Sequence, residues 1–151
     1  MRTQKILGIV VAMMFMGQAN TAELPRVGYV ALNVSDEKRA LDFYVGLVGM
    51  EERSRITPLP ALTEILLGFG KDPKDAGVLL VHRADHDKPY EVGDGFSRTI
   101  INVANIETVM KKMSDAGVNV VRPVTEMKSL KLKYAMVKDP DGYTVEFVQS
   151  Q

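Results

Sequence analysis

Few side chains in this sequence combine reactive chemistry with an unusual position, and Glu146 is the clearest of them. The stretch 139–147, DPDGYTVEF, joins an Asp-Gly turn signal to a β-rich run, which predicts a tight turn followed by a strand. Glu146 therefore lies inside an otherwise apolar strand. It is either a solvent-facing residue or a carboxylate directed into a site, where it could accept a proton or pair with a cation.

Cysteine and histidine add little chemistry. The chain has no cysteine, which excludes a thiol nucleophile, a disulfide framework and a cysteine-ligated metal. His82 and His86 are four residues apart, but Pro89 and the neighbouring acidic residues disfavour the helix that an i,i+4 metal pair requires. We interpret them as histidines of a strand end and a loop. The sequence also lacks a glycine-rich phosphate loop and a Ser-His-Asp order.

The composition is that of a globular chain with an adequate core. Of the 151 residues, 46% are hydrophobic and 25% are charged, which predicts one domain. The formal net charge is zero, so neither a nucleic acid nor an anionic membrane surface is expected as a partner.

The N-terminal residues follow a different pattern. Basic residues precede an apolar run at 6–16, and small and polar residues follow it. This arrangement is typical of a secretory signal peptide and is too short for a membrane span. We predict a signal peptide at 1–22, cleaved after Ala22 or Ala19, with an uncleaved anchor as the alternative. The mature domain, 23–151, has no second apolar run and would be periplasmic or secreted.

Hydrophobic periodicity predicts a β-α-β-β-β unit that occurs twice, as module one (26–92) and module two (97–149). Each helix follows a residue that can cap its N-terminus, Ser35 in module one and Asn105 in module two. Two prolines in the segment TPLP are expected to interrupt a continuous strand ladder. The predicted strands are 27–34, 51–56, 62–69 and 78–82, then 98–103, 118–124, 131–137 and 143–149.

The two modules also match residue by residue. Asn33 and Asn102 both precede a helix, which sets an offset of 69 positions. One alternating set of residues is then expected to lie beneath the helices. The other set is expected to form the opposite surface of the sheet, which has no helices on it and can curve around a ligand. Two unrelated α+β halves are the alternative. The pairs beneath the helices are Val30–Thr99, Leu32–Ile101 and Val34–Val103, and those on the other surface are Tyr29–Arg98, Ala31–Ile100 and Asn33–Asn102.

Three stretches carry a family resemblance: VALNVSDEKRALDFYVGLVGM at 30–50, YEVGDGFSRTIINV at 90–103 and YAMVKDPDGYTVEFVQ at 134–149. Together they resemble the vicinal oxygen chelate superfamily, which includes glyoxalase I, extradiol dioxygenases and bleomycin-resistance proteins. The pattern is closest to glyoxalase I, or lactoylglutathione lyase. The resemblance implies an α+β fold in which two βαβββ modules form a cup-shaped mixed sheet.

The resemblance also implies where a metal site would lie. In metal-dependent glyoxalases, a His, a Glu, a second His and a second Glu from four strands bind a divalent cation that stabilises an enediolate. The matching positions here are Tyr29, Leu80, Arg98 and Glu146, so only the last acid is kept. A shift of two residues would place His82 at the second position. We therefore predict no metal cofactor, with nickel or zinc as the alternative.

Two functions are compatible with these residues. In the first, Arg98 pairs with Glu146 across the cavity and recruits an anionic or carbonyl-bearing small molecule, which describes a binding or sequestering protein or a degenerate enzyme. In the second, a glyoxalase-type lyase or isomerase uses Glu146 as its base. A purely structural ion pair is a further alternative. The candidate ligand-binding residues are Tyr29, Asn33, Leu80, His82, Arg98, Asn102 and Glu146.

The same resemblance predicts a homodimer. Two modules must face each other to close a cup, either within one chain or between two chains. Because only a short link near 93–96 separates the modules, we expect an exchanged pair of chains.

Overall fold

The computed structural model describes residues 25–70, 72, 74–86 and 88–151, so the predicted signal peptide lies outside the described residues. The predicted β-α-β-β-β order is present twice. The first unit is β1 (Tyr29–Val34), α1 (Glu37–Leu41) with a π-helical extension (Asp42–Leu47), β2 (Glu51–Leu59), β3 (Leu62–Gly68) and β4 (Gly77–Arg83). The second is β5 (Thr99–Asn102), α2 (Ile106–Asp115), β6 (Val120–Met127), a 3-10 turn (Lys128–Leu130), β7 (Leu132–Lys138) and β8 (Thr144–Ser150).

Each unit forms one four-stranded mixed sheet. The strand orders are β1-β4-β3-β2 and β5-β8-β7-β6. In both sheets the first strand pairs in parallel with the last, and the other neighbours are antiparallel. The predicted α+β class is confirmed, and the two sheets repeat the same topology. None of the described helices is long and apolar enough to cross a membrane.

Side-chain caps begin both helices. Asn105 caps α2 as predicted, and its Oδ1 accepts a hydrogen bond of 2.8 Å from the backbone N–H of Thr108. Asp36, and not the expected Ser35, caps α1 by accepting from the N–H of Arg39 at 2.8 Å. The cap falls one residue later than predicted because Ser35 is engaged elsewhere: its N–H and hydroxyl both donate to Asp141.

The strand predicted to end at Ile56 continues to Leu59. The effect expected of the two prolines appears as an irregularity in the pairing of β2 with β3, between Ile56 and Leu59. A proline removes one ladder hydrogen bond without preventing extended backbone, so the strand bends instead of stopping. A tight turn then follows, in which Ala61 adopts a φ of 61°.

The core lies between the helices and one surface of each sheet. The alternation predicted from the offset of 69 positions is confirmed: Leu32, Val34 and Ile101 are buried beneath the helices. Ala31, Asn33, Ile100 and Asn102 are exposed on the opposite surface. We call that helix-free surface the open face of each sheet.

Hydrogen bonds tie the two units together on the helix side. The hydroxyl of Tyr44, which is fully buried, donates to Oδ2 of Asp139 at 2.9 Å. Burial raises the pKa of the Asp139 carboxyl, although Tyr44 and two backbone N–H groups donate to it. Arg39 donates to the carbonyl of Pro140 at 3.1 Å. The turn that precedes β8 is therefore fixed by contacts from the first unit.

Candidate functional site

Glu146 and Arg98 lie together on the open face of the second sheet. Glu146 pairs with Ile100 in the parallel β5–β8 ladder, and Arg98 stands two residues before Ile100 on the same face. Nε of Arg98 donates to Oε2 of Glu146 in a close ion pair. The predicted pair therefore forms, but it joins neighbouring strands of one sheet instead of crossing a cavity.

The two partners differ in exposure. The Glu146 side chain is 10% exposed and the Arg98 side chain is 40% exposed. Arg98 also donates from Nη1 to the hydroxyl of Ser97 at 3.0 Å, whereas its Nη2 has no hydrogen-bond partner among the described residues. A buried carboxylate is thus neutralised by a guanidinium that keeps one donor group available to a ligand.

Leu80 does not line the open face, contrary to the prediction. It is completely buried and pairs with Leu32 in the parallel β1–β4 ladder, so both side chains lie beneath the helices. The repeat identifies the corrected position. Ala31 corresponds to Ile100 and pairs with Leu79, just as Ile100 pairs with Glu146. Leu79 is therefore the module-one equivalent of Glu146, and it has no ligand atom.

His82 also lies on the side of the sheet that the helices cover. It pairs with Val34, whose side chain is completely buried, and its Nδ1 is 3.2 Å from the carbonyl oxygen of Val34. A shift of two residues along a strand keeps the side chain on the same face. The alternative that placed His82 at the site is therefore wrong for the same reason as Leu80: both side chains lie beneath the helices.

Tyr29 belongs to a separate cluster in the first sheet. Its ring packs on Gly77, where an added Cβ would lie 2.7 Å from the ring. Its hydroxyl is 3.4 Å from Nη1 of Arg53, whose guanidinium also donates to three backbone carbonyls. In the part of the chain that the structure describes, no hydrogen bond or ion pair joins Tyr29 to Arg98 or Glu146.

The structure adds residues that the sequence interpretation missed. Along the ladders of the second sheet, Ile100, Glu146, Met136 and Arg122 occupy successive strands at one level, which we call the central row. Tyr134 lies in the adjacent row. The period-two alternation of the stretch KLKYAMV is the sequence signal for their orientation. Because Ala135 and Val137 are buried beneath the helices, Tyr134 and Met136 face the opposite side.

Of the cavities that the described residues form, two lie near the sheets, and Glu146 lines neither of these two. One, of about 290 Å³, runs along β5 and is bounded on the other side by Val30, Gly77 and Val78. The larger, of about 530 Å³, lies on the helix side, between the π-helical extension and the turn at Asp139. The Arg98 side chain, which is 40% exposed, leaves the polar pair accessible to solvent within a single chain.

The donor set at these positions does not suit a divalent cation. Of the residues at the four matching positions, Tyr29, Leu79, Arg98 and Glu146, only Glu146 has a carboxylate, and that carboxylate already bonds Arg98. A fixed guanidinium beside the carboxylate repels a divalent ion. Among the described residues, no group of three or more His, Cys, Asp or Glu side chains is arranged to hold a metal.

Known proteins place this architecture in a family. A family model described as the Glyoxalase/Bleomycin resistance protein/Dioxygenase superfamily matches residues 26–147. The chain belongs to this superfamily. This glyoxalase-superfamily chain is 33% identical over 123 residues to a probable lactoylglutathione lyase of Synechocystis sp., covering 81% of the chain and 93% of the relative. It is 29% identical to a lactoylglutathione lyase of Escherichia coli O157:H7, covering 83% and 93%.

Solved structures show the same fold. Glyoxalase I from Zea mays is similar with a TM-score of 0.74 and 27% identity, over 83% of this chain and 45% of the maize chain. TnmS3, an antibiotic binding protein from Streptomyces sp. CB03234, is similar with a TM-score of 0.66 and 20% identity, over 86% of this chain and 99% of that one. The predicted superfamily and its likeness to glyoxalase I are confirmed.

Proposed function

We propose that this glyoxalase-superfamily chain is a small-molecule-binding or sequestering protein whose polar centre is the Arg98–Glu146 ion pair. One observation carries the proposal. Arg98 donates to Glu146 at the two positions where the resemblance to metal-dependent glyoxalases implies a histidine and a glutamate ligand. The guanidinium supplies positive charge at the place where a divalent ion would supply it.

The free donor of Arg98 defines the chemistry of the ligand. Hydrogen bonds to Glu146 and Ser97 fix the position of the Arg98 guanidinium. Its Nη2 is therefore already in place to donate a hydrogen bond to an oxygen atom of a ligand. Anionic and carbonyl-bearing molecules provide such an oxygen. Ile100, Met136 and Val148 surround the pair with apolar surface that suits the body of a small molecule.

We also propose that a second copy of the chain closes the site. Ile100 is 55% exposed beside the ion pair, although it lies at the centre of the candidate site. Tyr29 and Asn33, two more of the predicted ligand-binding residues, belong to the open face of the first sheet. In a homodimer, the first sheet of one protomer would cover the second sheet of its partner.

Export is part of the same proposal, since it rests on residues 1–22, whose composition is typical of a signal peptide. Expression of the full chain in a bacterium, followed by mass spectrometry of the periplasmic fraction, tests it. A mass that corresponds to cleavage after Ala22 or Ala19 is expected. An uncut chain in the membrane fraction would instead identify an N-terminal anchor.

A glyoxalase-type lyase remains the second candidate, and the relatives named lactoylglutathione lyase favour it. In that reading, Glu146 would move the proton and Arg98 would stabilise the developing enediolate oxygen. The close ion pair argues against this role because the carboxylate oxygen Oε2 of Glu146 already accepts a hydrogen bond from Nε of Arg98.

One experiment separates the two functions. The purified protein is incubated with nickel or zinc, dialysed, and analysed for bound metal and for turnover of the hemithioacetal of methylglyoxal and glutathione. We expect no stoichiometric metal and no turnover, together with a rise in melting temperature in a panel of small carboxylates and ketones. Stoichiometric metal with turnover that Glu146→Gln abolishes would establish the lyase.

A further inference from the structure

A second guanidinium on the open face has no part in the function proposed above. Arg122 lies at the end of the central row, on β6, and is exposed. Its side chain makes no ion pair or hydrogen bond with any described residue. Its guanidinium carbon instead lies 5.8 Å from the ring centroid of Tyr134, within the range of a cation–π contact.

The charges along the central row do not cancel. Arg98 neutralises Glu146, so the charge of Arg122 is left without an opposite charge in the row. An uncompensated cation on a partly apolar surface favours an anionic ligand. This cation lies near the ring of Tyr134, so a ligand whose anionic group reaches Arg122 brings an attached ring close to an aromatic side chain.

The ladder sets the distance between the two polar ends. Neighbouring strands are about 4.8 Å apart, so the backbones at Arg122 and Glu146, which are two strands apart, are about 10 Å from each other, and the Arg98 guanidinium lies against Glu146. Met136 lies between them, and Val148 and Tyr134 lie in the adjacent row. A ligand that contacts both ends therefore crosses an apolar strip.

We propose that the second sheet binds a planar aromatic carboxylate about 10 Å long. Its carboxylate contacts Arg122, its ring lies on Met136 and Tyr134, and a hydroxyl or carbonyl oxygen at the far end accepts from Nη2 of Arg98. Arg122 then selects for charge, and Tyr134 selects for the planar ring. This inference rests on the proposed function, since it assigns a ligand class to the Arg98–Glu146 site.

The probes are trans-4-hydroxycinnamate, its methyl ester and the saturated acid 3-(4-hydroxycyclohexyl)propanoate, measured by isothermal titration calorimetry on the purified protein. The ester lacks the charge, and the saturated acid lacks the planar ring. We expect the aromatic acid to bind about tenfold more tightly than either analogue, the order of one charge-assisted hydrogen bond.

Variants then assign the selectivity to Arg122. Arg122→Gln is expected to make the acid and the ester bind equally, and Arg122→Lys to keep part of the preference for the acid. Arg83→Gln is the matched control, because Arg83 is an exposed arginine that pairs with Asp85 at the end of β4. It should change none of the affinities.

The outcomes separate this inference from the function on which it rests. Equal binding of acid and ester by the wild-type protein, weakened by Arg98→Leu, would overturn the role of Arg122 and leave the Arg98–Glu146 site standing. An unchanged preference in Arg122→Gln would overturn it in the same way. If none of the three probes binds, the proposed ligand class is wrong, and the panel of carboxylates and ketones decides the function independently.

Discussion

Replacing Arg98 by leucine isolates the energetic effect of leaving Glu146 without its partner. Arg98 is the hydrogen-bond donor that neutralises Glu146, whose side chain is 10% exposed. Losing one partner of a fully buried pair costs about 3–5 kcal/mol, whereas an exposed pair contributes about 0–1 kcal/mol. With one buried partner and one that is 40% exposed, we expect Arg98→Leu to lower the free energy of unfolding by about 2 kcal/mol.

Urea denaturation followed by circular dichroism measures this value, and the chain contains a matched control. Arg55 is 39% exposed, nearly the same as Arg98, but its partners Glu52 and Glu37 are 37% and 31% exposed. Arg55→Leu should therefore cost no more than about 1 kcal/mol. A loss in Arg98→Leu within about 0.5 kcal/mol of the control would refute the argument that burial of Glu146 sets the cost.

The double variant Arg98→Leu/Glu146→Leu completes the cycle. Replacing both partners removes the uncompensated buried charge, so most of the lost stability should return. If the double variant is no more stable than Arg98→Leu, the arginine contributes through packing of its stem and not through charge.

Three further predictions, made with five variants, test the fold around the site. Burial raises the pKa of Asp139 above its ordinary value of 3.8, so the folded state binds the carboxyl proton more tightly than the unfolded state does. The contribution of Asp139 to stability therefore falls as the pH rises from about 4. The melting temperature of Asp139→Asn relative to wild type should increase as the pH rises from about 4, and a constant difference would contradict this. Tyr44→Phe removes a buried hydrogen-bond donor to Asp139 and should lower the free energy of unfolding, measured in urea, by about 1–2 kcal/mol. The buried hydroxyl of Tyr90 has no partner among the described residues, so Tyr90→Phe should leave the free energy of unfolding unchanged or raise it. Leu80→Glu should prevent folding and Leu79→Glu should be tolerated, as judged by circular dichroism; the reverse result would show that the face assignment of β4 is wrong.

Most of the fold could be predicted because its signals are local or repeated. The period of the apolar residues located every strand and both helices, and the offset between Asn33 and Asn102 predicted which side of β1 and β5 the helices cover. Helix caps were less certain, since Ser35 and Asp36 are both good caps and a contact from residue 141 decided between them.

The site was predicted only in part, because the register between two strands cannot be read from the sequence of either strand alone. Arg98 and Glu146 were matched through the family resemblance, and the structure joins them. Leu80 was also matched through the resemblance, but in a strand an error of one residue moves every side chain to the opposite face. Arg122 was missed because its position opposite Met136 depends on a shift in the β6–β7 ladder.

The hydrogen bonds between the helix side of the first unit and the last turn have a consequence for how the chain folds. Tyr44 bonds a residue 95 positions later, and Ser35 bonds one 106 positions later. While the chain is being synthesised, the buried hydroxyl of Tyr44 has no acceptor until the DPDG turn exists. The first unit by itself therefore lacks these hydrogen bonds, and contacts of such long sequence separation slow the search for the native state. We expect both halves to become protected from amide hydrogen exchange together, in a single cooperative step.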